Sequence, residues 1–240
     1  MTMSGQNAYE SLLVDLTTRF ARTTAEEIND EILKALHGIR DLFQVQRIIL
    51  IERSPNQGPF QIIHQAYGPY SCPLPSDLGM CSSFPWCCEA ITQGRRILVN
   101  SLEDFPPDAA RDRMSCQDLN IAAILAIPHC RNNQVSSILA ATASFSRIWP
   151  DSWAERMHVL GQIIVSALER ERTIQHLLDS ERNYRLIVEN IPALLCYIDR
   201  DQRFVFVNKK YAQVFNLSMS DIVGRFTSEM LGQQRYSEAK

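Results

Sequence analysis

A long apolar seam with helical spacing occupies the C-terminal half of the chain. Apolar residues return every three or four positions after residue 151: Trp153, Met157, Leu160, Ile164, Ala167 and Leu168. Charged residues at 169–172 interrupt the seam without a helix breaker, and Ile174, Leu177 and Leu178 resume it. Because the residue before a proline avoids helical backbone angles, we expect one helix from 151 to 190 that ends before Pro192. A helix of this length continues past one packed domain toward a second one.

The length of the chain also predicts two folded parts. Its 240 residues exceed one average domain and fit a domain of ~150–170 residues plus a remainder. Apolar residues make up 45% of the chain and charged residues 21%, which is typical of packed globular proteins. We place a first domain at 1–172, a helical linker at 173–190 and a second domain at 191–240.

The first domain has helices at both ends and strands between them. Amphipathic helices are expected at 9–21 and 24–42, and Thr24 and Glu27 have the spacing of a capping box at the start of the second. β-branched and apolar runs predict strands at 45–53, 60–67, 96–100, 121–129 and 135–145, with turns at 54–58 and 131–134. A loop at 68–83 and short helices at 85–92 and 106–117 complete the order. This order favours an α+β domain with an antiparallel sheet and helices on one face.

An ordered set of short motifs in this domain resembles the GAF domains of bacterial sensor histidine kinases and diguanylate cyclases. The set comprises 84–86, Gly94, Val99, 101–104, Pro106, 109–110, 112–113, Ile121, 125–128 and 147–150. Many members of the family carry Gly where this chain has Asn120 and Ser136 or Ser137. Asn adopts left-handed backbone angles readily and Ser does not, so the resemblance does not fix the path of the sheet near Ser136.

The last part of the chain resembles the opening half of a PAS domain. The similarity rests on the segments 181–185, 189–192, 198–199, 204–208 and 221–225. It implies two strands joined by a turn at 200–203, an Asn that ends the second strand, and short helices. A complete PAS sheet needs further strands, and an incomplete sheet leaves backbone edges and apolar surface in water. We therefore expect 193–240 to be weakly packed, disordered or completed by another chain.

Charge and hydropathy exclude several classes of function. The net charge is −3 and the basic residues are scattered, which disfavours nucleic acid as a partner. The longest apolar runs, 48–51 and 121–127, are far too short to span a membrane, and no export signal precedes them. A cytoplasmic location is therefore expected. Seven cysteines at irregular spacing favour reduced thiols, most of them buried as small apolar residues.

The side chains that could hold a metal or cofactor form weak patterns. Cys72, Cys81, Cys87 and Cys88 contain no CxxC pair, and packed thiols explain them better than a metal site or a redox switch. Bilin-binding GAF domains commonly have Cys followed by His, whereas this chain has His129-Cys130. The Asn-Lys, Phe and Asp-Glu pattern of cyclic-nucleotide-binding members is not found in order within residues 8–172. His64, His129 and His158 are each better explained as structural than as haem ligands.

The resemblance implies a ligand pocket between the sheet and the crossover segments. Its expected lining consists of Phe84, Trp86, Met114, Cys116 and Ile124. An apolar lining suits a small molecule and equally suits a filled core. The ligand or cofactor is unknown, and the sequence shows no catalytic motif and no metal set.

We therefore interpret the chain as a sensory and dimerisation module without enzymatic activity. The terminal helices would pair with a second copy, and the last helix would relay the state of the pocket to the PAS segment and an output domain. One alternative is a redox enzyme of the sulfoxide reductase type that uses Cys81, Cys87 and Cys88. Another is a purely structural dimerisation module whose pocket is filled by side chains.

Overall fold

The computed structural model describes residues 3–54, 58–69 and 71–230. These residues divide into two compact units, Met1–Arg172 and Thr173–Lys240. The predicted turn at 54–58 lies partly outside the described residues, and so do residues 231–240 of the predicted second domain.

The first unit begins with helices α1 (Met3–Arg22) and α2 (Ile28–Phe43). The predicted start of the second helix at Thr24 is wrong by four residues. The Thr24 hydroxyl donates a hydrogen bond to the Glu27 carboxylate over 3.0 Å and does not cap the backbone. Residues 25–27 form a turn instead, and α2 begins when the apolar repeat begins at Ile28.

Five strands form the antiparallel sheet of the first unit. They are β1 (Arg47–Arg53), β2 (Phe60–Tyr67), β3 (Ile97–Val99), β4 (Ala123–Arg131) and β5 (Gln134–Ala143). Their spatial order is β2-β1-β5-β4-β3, so β1, β5 and β4 lie inside the sheet and β2 and β3 form its edges. The predicted antiparallel sheet is confirmed; β2 has the predicted boundaries, and those of the other strands shift by at most two residues.

The turn between β4 and β5 follows from two asparagines. Asn132 and Asn133 have φ angles of 49° and 64°, the left-handed region that Asn tolerates and that tight hairpins require. Further along, the partner of His129 is Ser137 while the partner of Cys130 is Val135. Ser136 is thus the extra residue of a β-bulge.

Helical segments cross the sheet between its strands. Two short helices, α3 (Met80–Ser83) and α4 (Pro85–Thr92), lie between β2 and β3. Two 3-10 turns, Leu102–Asp104 and Pro107–Ala109, and helix α5 (Ala110–Asp118) lie between β3 and β4. The sequence predicts a loop where α3 forms. This single turn is closed locally, since the N–H groups of Ser82 and Ser83 donate to the Gly79 carbonyl.

Alternation along the strands separates two apolar clusters, one on each face of the sheet. Leu50, Leu125 and Leu139 point to the face covered by α1, α2 and the first turns of α6 (Asp151–Asn190). Ile49, Ile124 and Ile138 point to the opposite face, which is covered by α3, α4 and α5. The predicted helical bundle on one face and the predicted long helix 151–190 are both confirmed, and the short crossover helices cover the second face.

The second unit contains β6 (Cys196–Ile198), β7 (Phe204–Val207), α7 (Lys209–Phe215) and α8 (Met219–Ile222). Asn208 organises it, because its side-chain oxygen accepts from the N–H groups of Leu195 and Tyr211 while its amide donates to the carbonyl groups of residues 188, 191 and 193. The described core is small, and apolar residues such as Tyr197 remain exposed. The weak packing expected of this segment stays a prediction.

Candidate functional site

The candidate site is a cavity between the sheet and the crossover helices of the first unit. Alternate residues of the three inner strands form most of its floor, because every second side chain of a strand points to the same face. They are Ile49 and Ile51 of β1, Ile124 and Ala126 of β4, and Ile138, Ala140 and Thr142 of β5. The floor is therefore rigid and almost entirely apolar.

The opposite wall of the cavity comes from α3, α4 and the loop before them. Met80, Phe84, Cys88 and Ile91 contribute from the two helices and the junction between them. Leu74 closes the wall from the loop, where its N–H donates to the Gln65 side-chain oxygen over 2.8 Å and its carbonyl accepts from the Gln65 amide over 2.9 Å. The loop after β2 is thus held against the sheet by a paired hydrogen bond.

The cavity has a volume of about 70 Å³ and carries one hydroxyl group. Thr142 is only 3% exposed, and its Oγ1 has no hydrogen-bond partner among the described residues. A buried hydroxyl without a partner costs free energy, and a polar atom of a ligand would recover it. The geometry suits a compact apolar molecule that carries one hydrogen-bonding group.

Asp112 of α5 fixes the start of α4 beside the cavity. Its carboxylate is fully buried and accepts hydrogen bonds from the N–H groups of Trp86 (3.1 Å) and Cys87 (2.9 Å). These N–H groups have no partner within their own helix, and the negative charge suits the positive end of the helix dipole. Asp112 also acts on two thiols: burial, and then its charge, raise the pKa of Cys116 to about 12 and hold the pKa of Cys87 even higher.

The structure separates the five predicted lining residues. Phe84 and Ile124 line the cavity. Cys116 is buried in the same apolar cluster, and Trp86 packs against that cluster with its ring 5.9 Å from the Phe105 ring in a T-shaped contact. Met114 is 53% exposed and points away, because α5 turns Asp112, Ser115 and Cys116 inward. Met114 is not among the residues that line this cavity.

Most of the cavity lining was missed by sequence reasoning. The strand residues Ile49, Ile51, Ile138 and Ala140 are readable from the alternation of β1 and β5, once one knows which face the long helices cover. Thr142 gives no such signal, because a β-branched hydroxyl residue is common in any strand.

The cysteines differ from the expectation of buried, reduced thiols. Cys81 of α3 and Cys88 of α4 form a disulfide, with Cα atoms 5.3 Å apart. Seven residues of straight helix would separate these Cα atoms by about 10 Å. A change of direction at Phe84, which has φ −131° and ψ 61°, brings them together. Cys72, Cys130 and Cys196 are exposed, and among the free cysteines only Cys116 is buried.

The histidines lie away from the cavity. His129 of β4 is 1% exposed and stacks on His158 of α6, with ring centroids 5.2 Å apart. Burial and the neighbouring His158 lower the pKa of His129 to about 4, while the nearby Gln162 side chain, which favours the protonated ring, opposes the shift. Sequence analysis found no partner for either ring.

The described residues form neither a metal-binding cluster nor a helix that could cross a membrane. Within the ranges 3–54, 58–69 and 71–230, no three or more His, Cys, Asp or Glu side chains come together as a metal-binding group. In the same part of the chain, no helix has the length and apolar character needed to cross a membrane.

Comparison of sequences places the second unit in a known fold. Residues 188–239 match the family model described as PAS fold. A stretch of 66 residues is 33% identical to the two-component sensor PprA of Pseudomonas aeruginosa, and it covers 28% of this chain and 7% of that protein. The similarity therefore concerns a small part of the length of that sensor.

Comparison of structures places the first unit in the GAF-like fold. The phycocyanobilin-bound GAF domain of a cyanobacterial phytochrome superposes with a TM-score of 0.58 at 16% identity, over 70% of this chain and 97% of that one. The chromophore-binding domain of a bacteriophytochrome from R. palustris gives 0.61 at 10% identity, over 73% and 64%. The free methionine-R-sulfoxide reductase of Neisseria meningitidis gives 0.56 at 14% identity, over 72% and 95%. GAF-like and PAS folds are typical of signalling proteins.

Proposed function

We propose that this chain is a regulatory sensory and dimerisation segment of a bacterial signal-transduction protein, with no catalytic activity of its own. The similarity to part of a two-component sensor and the match of 188–239 to the PAS fold support this class. The observation that carries the proposal is the apolar cavity on one face of the GAF-like sheet, opposite the face on which the long helix α6 packs. Such a cavity can bind a small molecule without performing chemistry on it.

The lining supports a definite class of ligand. No charged side chain contributes to the described wall of the cavity. The phosphates of a nucleotide and the carboxylates of a bilin would therefore lose water without gaining a cation, which is costly. A small, uncharged and mostly hydrocarbon molecule with one hydrogen-bonding group fits the apolar wall and the free Oγ1 of Thr142.

The ligand class is tested with phenol and benzene, which differ by one hydroxyl group. Calorimetry on the full chain should show that phenol binds more tightly than benzene by about 2- to 10-fold, the value of one buried hydrogen bond. Thr142→Val keeps the shape of the side chain and should remove this preference. Phenol and benzene affinities that respond equally to Thr142→Val would contradict the role of the hydroxyl.

The location of binding is tested by filling the cavity. Ala140→Leu adds about three carbon atoms on the cavity floor and should abolish binding of both probes. Ala110→Leu makes the same change on the exposed side of α5 and should leave both affinities unchanged. Native mass spectrometry of protein from cells then identifies the natural ligand. Failure of both probes and of any cellular ligand to bind would favour the purely structural alternative.

A second copy of the chain is the proposed partner. Within the second unit, Ile174, Leu177 and Tyr184 of α6 are 44%, 69% and 71% exposed. With Val188 they occupy four of the five positions of a coiled-coil seam over residues 174–188, and the charged Glu181 occupies the remaining one. Val14 of α1, 68% exposed, adds apolar surface on the N-terminal helix. Exposed apolar side chains at this spacing are stabilised when two helices pair through them.

Light scattering tests the dimer. The wild-type chain should be dimeric at tens of micromolar, and Leu177→Glu should shift it toward monomer because a charge enters the pairing seam. Ser180→Glu places the same charge at an exposed polar position of the same helix and should leave the dimer intact. A monomeric wild type would remove this part of the proposal.

In the intact protein, a dimer would relay the state of the cavity through α6 to the PAS segment and to an output domain such as a histidine kinase or diguanylate cyclase. This relay requires two arrangements of the helices that the ligand binds with different affinities. The similarity to a two-component sensor favours the kinase.

The disulfide beside the cavity favours one rival, a redox enzyme of the sulfoxide reductase type. Combined substitution of Cys81, Cys87 and Cys88 by Ser separates the two functions. A sensor should keep its probe binding and show no thiol-dependent turnover of a methyl sulfoxide in either form. A reductase should turn over as wild type and lose that turnover in the variant.

A further inference from the structure

The two helices that cover the cavity are held in very different ways. Helix α4 is fixed to α5, because the buried carboxylate of Asp112 accepts both of its first N–H groups, at Trp86 and Cys87. Buried Ala90 and Ile91 anchor its other end in the apolar cluster. We therefore expect α4 to stay in place whatever happens to its neighbour.

Helix α3 is a single turn with little holding it. None of its four residues is buried, and it follows the long loop after β2. Its Met80 nevertheless lines the cavity, so the position of α3 decides whether that wall is closed. Its noncovalent ties include the Ser115 hydroxyl, which donates to the Ser83 carbonyl over 2.6 Å.

The covalent tie of α3 to α4 is the disulfide between Cys81 and Cys88. Cys81 is exposed and therefore open to attack by a thiol, while Cys88 lines the cavity. Exposed disulfides exchange readily, and in reducing compartments such bonds are transient and regulatory. This bond thus joins a weakly held part of the wall to a fixed one at a place that solutes can reach.

We propose that Cys81 and Cys88 form a reversible redox site that controls entry to the cavity. In the disulfide state α3 is tied to α4 and Met80 closes the wall. In the dithiol state α3 moves away from α4 and a small apolar ligand enters and leaves faster. Control of ligand entry rests on the proposed ligand-binding function, whereas the movement of α3 does not.

The redox step balances with a small-molecule disulfide as the oxidant. One cysteine thiolate attacks the small disulfide and releases one small thiol, which leaves a mixed disulfide on the protein. The second thiolate attacks the protein sulfur of that mixed disulfide, forms the Cys81–Cys88 bond and releases the second small thiol. The protons lost by the two cysteines end on the two released thiols. Two small thiols reverse both steps. Cys87 takes no part, since burial and Asp112 keep its thiol protonated.

The bond itself is tested on the full chain equilibrated in glutathione buffers of graded redox potential. After acid quenching and thiol labelling, peptide mass mapping should show Cys81 and Cys88 changing together from labelled to protected. Cys72 and Cys130, which are exposed and free, serve as internal controls and should stay labelled under the same conditions. No Cys81–Cys88 bond at any ratio of oxidised to reduced glutathione would overturn the proposal.

The movement of α3 is tested by hydrogen exchange. The amides of Ser83 and Phe84, which donate to the carbonyls of Gly79 and Met80, should exchange about tenfold faster in the dithiol state. The Cys88 amide in α4, which donates to the Phe84 carbonyl, should change much less. The Cys81→Ser/Cys88→Ser variant should behave as the dithiol state under oxidising and reducing buffers alike. Equal exchange at Ser83 and Phe84 in both redox states would overturn the proposal.

Ligand entry is tested by the exchange rate of benzene, measured by NMR in both redox states. We expect benzene to exchange about tenfold faster in the dithiol state and in the double variant. Equal rates in the two states would refute control of entry and leave the ligand-binding function intact. Binding in neither state would refute the ligand-binding function, and hydrogen exchange at Ser83 and Phe84 would still decide whether the bond controls α3.

Discussion

His129 makes the stability of the first unit depend on pH in a definite direction. Its ring is buried between β4 and α6, faces the His158 ring and the Gln162 amide, and has a pKa of about 4, below the ordinary 6.5. The unfolded chain takes up a proton at this residue near pH 6.5, whereas the folded chain does so only near pH 4. The contribution of the neutral His129 ring to the free energy of unfolding is therefore fully present above pH 6.5 and is lost as the pH falls toward 4.

The size of the loss follows from the two pKa values. Between pH 7.5 and pH 5.0, an unfolded-state pKa of 6.5 and a folded-state value near 4 predict that the free energy of unfolding falls by about 2 kcal/mol. Burial also lowers the pKa of His64, so the wild type loses somewhat more than this residue alone accounts for. His129→Leu removes only the contribution of His129.

Urea unfolding at the two pH values measures the effect. The three tryptophans, Trp86, Trp149 and Trp153, all lie in the first unit, so their fluorescence follows that unit alone. Between pH 7.5 and 5.0, the free energy of unfolding should fall by about 2 kcal/mol more in the wild type than in His129→Leu. His37→Gln, at an exposed histidine, should match the wild type. Equal losses in the wild type and His129→Leu would refute the reasoning.

Three further substitutions test the packing. Gly161→Ala would place a Cβ 2.2 Å from the His129 Nε2. Urea unfolding should show that the free energy of unfolding falls by about 1–3 kcal/mol. Adding His129→Ala to this variant should partly restore the free energy of unfolding, because it removes the clashing ring. Asp112→Ala leaves the first N–H groups of α4 without their acceptor, and we expect a loss of about 2–5 kcal/mol; an unchanged melting temperature would contradict this. Asn208→Ala should speed amide exchange at residues 195–211, while the tryptophan-detected unfolding of the first unit stays unchanged.

Sequence patterns predicted the fold well at positions where the residue type restricts the backbone to one kind of structure, such as a helix end or a tight turn. Pro85 and Gly94 bracket α4, whose predicted bounds match the observed helix. Asn132 and Asn133 placed the central hairpin for the same reason. Thr24 misled the prediction because its hydroxyl can either accept from backbone N–H groups as a helix cap or donate to the Glu27 carboxylate, and in the structure it donates to the carboxylate. Sequence spacing alone does not decide between such competing partners.

The site was less predictable because it depends on how distant segments meet. Phe84 and Ile124 were found from their place in the motif and on the strand. The place of Met114 was hard to predict since α5 is only nine residues long, and a short helix carries too few apolar positions to define its buried side. The Cys81–Cys88 bond depends on the turn at Phe84, which no helical periodicity reveals.

The sheet itself is the physical link between the cavity and the long helix. Ile124 of β4 lines the cavity, and its neighbour Leu125 packs with the helices on the other face. Ala140 and Ala141 of β5 divide in the same way. A ligand in the cavity would therefore contact one face of the same strands whose other face packs against the long helices. Since packed cores change between discrete arrangements and deform little, a ligand signal must repack these strands as a unit or fail to reach α6.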